Sequence, residues 1–265
     1  MNLFEKFIYN LQATMTEPTS YGWFHIMWVI LTFLSIFVLY KLKNKYNEKQ
    51  LKFVLLTYGI IAFTLELLKQ ISWSFNYVDN NVFWDYQWYA APFQLCTTPI
   101  FVSLICGFLK KGKVRTALLS YMAFITILGS FMTIVIPDSC FVEDILVNVH
   151  TMWLHCGSFV VSVYLLINEI KINKKNLINS FIVFVIFVII AQTLNVVIYN
   201  LGVLNGETFN MFYISPYFES TLPVYSIIYN KVPFIVFLLF YMITIMLGGL
   251  IVYFVSYFIK KITSK

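Results

Sequence analysis

Residues 23–45 read WFHIMWVILTFLSIFVLYKLKNK. No charge falls between Trp23 and Tyr40, and three lysines (Lys41, Lys43, Lys45) follow at once. An uncharged apolar run of this length fits a membrane helix, which needs about 20 such residues. Lysines just past one end mark a cytoplasmic flank. The pattern recurs along the chain. Seven runs qualify: 23–40, 52–72, 91–109, 116–136, 148–168, 177–200 and 232–259. The expected fold is all-α, a polytopic membrane protein of seven transmembrane helices forming a single domain over residues 1–265.

Composition agrees. Of 265 residues, 60% are hydrophobic and 11% charged, with mean hydropathy +0.79, whereas a soluble domain is about 25% charged. Lipid is therefore the expected solvent, and a multi-pass place in the cell membrane the expected location. The net charge of +6 invites a nucleic-acid partner, but the lysines sit in short clusters between apolar runs, so none is expected. Residues 1–22 include Glu5, Lys6 and Glu17 and lack a cleavable signal pattern. The first run is expected to remain as an anchor. Arg115 is the sole arginine, and Asn and Ile are plentiful, a composition of AT-rich, bacterial genomes.

Loop charges orient the bundle. Lys41, Lys43, Lys45, Lys49, Lys52, Lys110, Lys111, Lys113, Arg115, Lys171, Lys174, Lys175, Lys260, Lys261 and Lys265 all fall on one side of a seven-helix chain. The other side keeps Lys6, Lys69 and Lys231 with most acids, among them Asp79, Asp85, Asp138, Glu207 and Glu219. The expectation is an outside N-terminus and a cytoplasmic C-terminus. The longest stretch between runs, 201–231, lies on the outer side. It is rich in tyrosine and proline, which predicts an ordered loop over a site.

Polar groups inside the runs gather near the outer ends. Cys96 lies five residues into the third run, about 7 Å deep at the helical rise. Helical spacing puts Pro99, Ser103 and Cys106 on its face, and Pro99 leaves the Leu95 carbonyl without its helical donor. His155 belongs to a stripe, Asn148-Thr151-His155-Ser158-Ser162, at about 10 Å depth. His150 lies about 140° round the same helix. Glu66 has Lys69 and Gln70 within one turn. Gln192, Asn195 and Tyr199 share a face, and His25 stands at the outer end of the first run. The inner halves carry almost no ionisable groups.

Each of these residues has a plainer reading. A cysteine in an apolar run is commonly filler, a histidine near a helix end an interfacial hydrogen-bonder, and Glu66 with Lys69 a structural ion pair. The four cysteines show neither metal spacing nor a disulfide framework, and three histidines with a carboxylate lack an HExxH-like pattern. No metal or other cofactor is expected. The sharper reading is nucleophilic chemistry. A thiol in apolar surroundings needs a base to become a thiolate. Cys96 with His155 supplies that pair, with Glu66 or Asn195 to orient the imidazole, as the third member of a triad does.

The same residues carry a resemblance. Phe24-His25, Glu66, Pro92-Phe93-Gln94-Leu95-Cys96, His150 and His155-Cys156-Gly157, Leu194-Asn195 and Phe209-Asn210-Met211-Phe212 fall in an order that resembles the YwaF-type integral membrane proteins, a bacterial family similar to the transmembrane protein 164 acyltransferases. The likeness runs over about residues 20–255. Where that family commonly has Leu-Pro-Leu-His-Leu-Cys, this chain has Ala91 to Cys96 with Gln94 in the histidine's place. The family's usual Asn-Tyr-Met is Asn210-Met211 here, without the tyrosine.

The resemblance implies a cysteine-dependent acyltransferase acting on membrane phospholipids or other acyl lipids. Cys96 matches the nucleophile and His155 its histidine partner. His150 keeps the family spacing, and Glu66, His25, Gln94, Asn195 and Asn210 are expected in support. The expected reaction moves a fatty acyl group between lipids through a Cys96 thioester, with Gln94 or backbone groups near Pro99 steadying the oxyanion. Two rivals stay open. One is a transporter or binding protein with an outer polar vestibule, the other a lipid hydrolase using the same Cys/His pair.

Overall fold

The computed structural model describes residues 2–79, 81–137 and 140–263. Asp138 and Lys265, both part of the charge pattern, lie outside the described residues. The fold is mostly helical. In chain order the elements are α1 (Leu3–Leu11), α2 (Trp23–Lys41), α3 (Glu48–Ser72), β1 (Phe75–Val78), β2 (Asn81–Trp84), α4 (Thr98–Phe108), α5 (Lys113–Tyr121), a π-helical turn (Met122–Thr126), α6 (Ile127–Val135), α7 (Ile145–Asn168), α8 (Lys174–Asn200), α9 (Tyr225–Tyr229) and α10 (Phe234–Thr263).

Six of these helices are long and apolar enough to cross a membrane: α2, α3, the continuous α5–α6, α7, α8 and α10. Exposed Ile, Leu and Phe side chains cover their outward faces, for example Ile30, Phe33 and Phe37 on α2 and Leu239, Ile243 and Leu247 on α10. The chain is a multi-pass integral membrane protein. We call the two ends of the bundle outer and inner after the lysine bias, Ser72 and Ile145 lying at the outer end.

The run 91–109 departs from expectation. Only Thr98–Phe108 is helical, 11 residues or about 16 Å, roughly half of the ~30 Å hydrocarbon core. Residues 91–97 form turns instead. Pro92 and Pro99 explain why. Proline lacks the amide donor of a helix interior and favours its first turn, and Pro99 stands at the start of α4. Hydropathy reads these residues as membrane-embedded, yet the prolines stop the helix from reaching outward.

Three helices start three or four residues before their apolar runs because an Asn or Asp caps them. Asn47 accepts from the Gln50 amide at 2.9 Å, Asp144 from Val147 at 3.0 Å and Asn173 from Asn176 at 2.9 Å. Such side chains satisfy amides that have no partner within the helix.

Two outer elements carry no hydropathy signal. Helix α1 is set by a capping box between Asn2 and Glu5. The hairpin β1–β2 pairs Phe75 with Trp84, their rings edge to face at 5.2 Å. Gln12, at the end of α1, donates to the Ser72 carbonyl at 2.9 Å and ties this cover to α3.

Helix α3 packs against both α4 and α7 and so sits at the centre. The π-helical turn frees the Met122 carbonyl, which accepts from Ser162 Oγ at 2.9 Å and Thr126 Oγ1 at 3.1 Å. Gly249 of α10 lies against this turn. A Cβ there would come within 2.7 Å of Ile125 Cδ1 and 3.2 Å of the Phe124 carbonyl oxygen.

Candidate active site

Glu66 lies in the last two turns of α3, buried, with three partners around its carboxylate. Lys69 Nζ is 2.9 Å from Oε1, Gln70 Nε2 donates to Oε1 at 2.8 Å, and His150 Nε2 of α7 is 2.8 Å from Oε2. Lys69 and His150 are also buried. Helical spacing accounts for Lys69 and Gln70, one turn on from Glu66. His150 arrives because α7 packs along α3. Burying an isolated charge is costly, and close pairing offsets that cost. The network continues outward. Tyr86 Oη donates to Gln70 Oε1 at 3.0 Å, and Gln70 Nε2 also donates to the Ala90 carbonyl at 2.6 Å.

Cys96 stands in the turn leading into α4, two residues before the helix begins. It is not on a helical face with Ser103 and Cys106, as the run 91–109 predicts. It is partly buried and packs against the main core, within electrostatic reach of Lys69 and Glu66. The turn is built by hydroxyls. Thr97 Oγ1 accepts from the Gln94 amide at 2.9 Å. Thr98 Oγ1 donates to the Leu95 carbonyl at 2.7 Å, filling the bond that Pro99 cannot make. Thr98 Oγ1 also meets Tyr121 Oη at 2.7 Å.

Buried tyrosines surround this part of the core: Tyr121 reaches the turn through Thr98, and Tyr58 belongs to the same core cluster as Cys96. Tyr58 Oη donates to the Leu154 carbonyl of α7 at 3.2 Å. It thereby links the Cys96 side of α3 to the turn that holds His155. Burial pushes the Tyr213 hydroxyl, in the outer loop, up to about 12. It stays a proton donor at neutral pH.

The three histidines part company. His25 accepts from the Tyr21 amide on Nδ1 at 3.0 Å, and its Nε2 meets the Ile134 carbonyl at 2.9 Å. It is a buried strut between the start of α2 and the end of α6. His150 is held by Glu66. His155 has a buried Nδ1 with no partner among the described residues, and the two α7 histidines are within electrostatic reach of each other. Glu66 thus orients His150, where the sequence pointed to His155. The two positions are about 140° apart on α7, and His150 is the one that meets Glu66 of α3.

The amides have a different task. Asn195 of α8 is fully buried and grips the Met211 backbone twice: Nδ2 donates to its carbonyl at 3.0 Å, and Oδ1 accepts from its amide at 2.7 Å. Gln94 grips either side of it, Nε2 donating to the Asn210 carbonyl at 3.1 Å and Oε1 accepting from the Phe212 amide at 2.8 Å. Asn210 folds its own loop, accepting from the Ser215 amide at 2.8 Å and donating to the Glu219 carbonyl at 2.9 Å. Phe212 stacks on Phe93 with ring centroids 5.6 Å apart. Phe212 and Tyr213 both adopt left-handed backbone, φ 59° and 58°, a strained state for residues other than glycine. The outer loop is therefore ordered and docked on the Cys96 turn. Asn195 and Gln94 each commit one N–H and the amide oxygen to the loop backbone, and each keeps a second N–H.

Sequence reasoning missed the tyrosines, since a tyrosine in an apolar run reads as core or interface. It missed the double grips as well, because spacing does not reveal which backbone an amide will meet. Among the described residues, no three His, Cys, Asp or Glu side chains converge as a metal site requires.

No curated protein and no solved structure matches this chain. A family model does, over residues 20–257. That span runs from the approach to His25 through the Cys96 turn, both α7 histidines and the clasped outer loop into the far end of α10, and by it the chain belongs to the TMEM164 family.

Proposed function

We propose that this protein is a membrane-embedded acyltransferase that moves a fatty acyl group between lipids through a thioester on Cys96. The observation that carries the reading is a buried Glu66–Lys69–His150 network, tied through Gln70 to the Ala90 carbonyl on the segment that leads to Cys96, under a loop held by Asn195 and Gln94. Buried charge of this kind disfavours folding unless paired, and it concentrates where chemistry is done.

In the first half-reaction His155 takes the Cys96 proton, and the sulfur adds to the ester carbonyl carbon. The carbonyl π pair moves onto oxygen. When it returns, the bond to the lipid alkoxide breaks, and His155 gives its proton to that leaving oxygen. An acceptor hydroxyl then runs the sequence in reverse, freeing the thiol. His155 takes this role from its place in the family pattern; its buried Nδ1 has no hydrogen-bond partner among the described residues, while both ring nitrogens of His25 meet backbone and His150 Nε2 lies 2.8 Å from Glu66. His150, held by Glu66, positions α7 beside α3. The substrate is a lipid whose ester lies near headgroup depth, where the bilayer itself presents it.

The test substitutes Cys96→Ala in purified, lipid-reconstituted protein. Transfer of deuterated acyl chains between phospholipids should fall by about 10⁴-fold or more, as for loss of other covalent nucleophiles. The intact protein should carry a hydroxylamine-labile acyl adduct on Cys96 by mass spectrometry. Transfer that survives the substitution sinks the proposal, and acyl release to water without an acceptor would reassign it as a hydrolase.

A further inference from the structure

Strand β2 runs on into Trp84-Asp85-Tyr86-Gln87-Trp88. The backbone stays extended there. The Asp85 amide donates to the Ser74 carbonyl at 3.0 Å and the Gln87 amide to the Trp73 carbonyl at 3.1 Å. Side chains alternate along an extended chain, so Trp84, Tyr86 and Trp88 share one side. Trp84 stacks with Tyr86, ring centroids 6.4 Å apart, and Tyr86 meets Trp88 edge to face at 5.1 Å. Trp88 in turn packs on Phe209 of the outer loop at 6.1 Å, and its amide donates to Glu207 Oε2 at 2.8 Å.

A cavity of about 650 Å³ lies between this run and the start of the outer loop, within the size range of ligand sites, roughly 300–1,000 Å³. The three rings line it, together with Asp85 and Glu207. Among the described residues, no lysine, arginine or histidine lines it. Neutral donors orient both acids without supplying a counter-charge: Asn76 Nδ2 donates to Asp85 Oδ2 at 2.6 Å, and the Trp88 amide holds Glu207.

Aromatic side chains at an outer helix end commonly form an interfacial belt. A belt accounts for rings that face lipid. It does not account for two carboxylates gathered with them round a cavity. A cation is drawn to the negative face of an aromatic ring, and carboxylates add Coulombic attraction. A bare metal ion would call for oxygen ligands in place of the rings. Rings and acids together suit a cation with apolar bulk.

We propose that this cavity binds an organic ammonium group, with Trp84, Tyr86 and Trp88 against its methyl or methylene groups and Asp85 and Glu207 as its counter-charge. A lipid headgroup and a soluble amine share that chemistry. The inference goes beyond the acyl-thioester reading and stands if that reading fails, because it concerns binding and not turnover. A hydrogen-bond chain joins the cavity to the buried network, from Tyr86 to Gln70 at 3.0 Å and from Gln70 to Glu66 at 2.8 Å.

The experiment titrates the full-length protein in dodecyl maltoside with choline chloride by isothermal calorimetry, with sodium chloride as the salt control. Choline should bind saturably at one site. Its neutral isostere, dimethylbutanol, should bind about 10-fold more weakly or less tightly still. Asp85→Asn combined with Glu207→Gln should weaken choline about 10-fold. Each amide keeps an accepting oxygen, so the melting temperature should hold. Trp84→Leu should weaken binding about 5-fold, and Trp84→Phe should recover most of that loss. Cys96→Ala should bind choline as the parent does, which separates this test from the one for acyl transfer. The inference is overturned if choline gives no saturable heat, or if dimethylbutanol binds as tightly. Unchanged affinity in the stable double variant also overturns it. Should the double variant melt lower, the Trp84 pair decides, and equal binding by the Leu and Phe variants overturns the inference. Displacement of choline by dihexanoylphosphatidylcholine assigns the group to a lipid headgroup. Choline binding without displacement assigns it to a soluble amine, and the site stands in both cases.

Discussion

The two ends of the bundle handle buried charge in opposite ways. At the outer end Glu66, Lys69 and His150 are all enclosed, and each depends on the others. At the inner end the buried Arg115 pairs with Glu48, whose side chain is 46% exposed, and Tyr46 bonds to Glu169, beside Lys111 at 3.9 Å. The outer charges have no route to water if their partners are removed. The inner acid has one. A network that cannot relax into solvent holds its geometry, which is what a reaction centre needs. A network half open to solvent is suited to fixing the lysine-rich loops at the membrane surface.

That contrast can be broken most forcefully at Glu66. Glu66→Ala leaves Lys69 buried without its counter-charge and frees His150, and should destabilise the protein by about 3–5 kcal/mol in chemical denaturation, with loss of acyl transfer. A variant as stable and active as the parent would erase the distinction between the ends. The clasp comes next. Asn195→Ala leaves the buried Met211 amide unpaired and its carbonyl with only the Ile214 amide at 3.4 Å, a loss of about 1–3 kcal/mol. Hydrogen exchange should localise the opening to residues 209–214, and stable protection there would show that Gln94 alone holds the loop. The smallest effect belongs to the inner end. Arg115→Met removes a buried charge whose partner can turn to water, so stability should change by no more than about 1 kcal/mol, with transfer intact. A large loss at Arg115 would mean that the inner pair depends on its partner no less than the outer network does.

Sequence alone made the spanning helices legible because lipid imposes a length and a polarity on each of them. The outer ends of α2 and α3 were readable to the residue, Trp23 and Ser72. The third run departs from its hydropathy because Phe93 and Leu95 are as apolar in a turn as in a helix. Pro92 and Pro99 held the contrary signal. For the site, the carboxylate and its neighbours could be placed by helical spacing, and Glu66 with Lys69 and Gln70 was visible in that way. The choice of His150 over His155 as its partner depends on how α7 is rotated against α3, which no single helix encodes. The hairpin and α1 escaped notice because four-residue strands and a nine-residue helix are too short to stand out, although Asn2 and Glu5 had the spacing of a capping box.

The grip of Gln94 on Phe212 spans 118 residues of chain, and this bears on how the protein is made. Synthesis runs from the N-terminus, and Cys96 emerges with α2 and α3 already available to it. Its cover does not exist until α8 and the outer loop have followed. During that interval the thiol lacks the clasped loop above it, because that loop belongs to the last third of the chain. The thiol thus follows Glu66 and Lys69 into the bilayer and waits there for the loop that covers it.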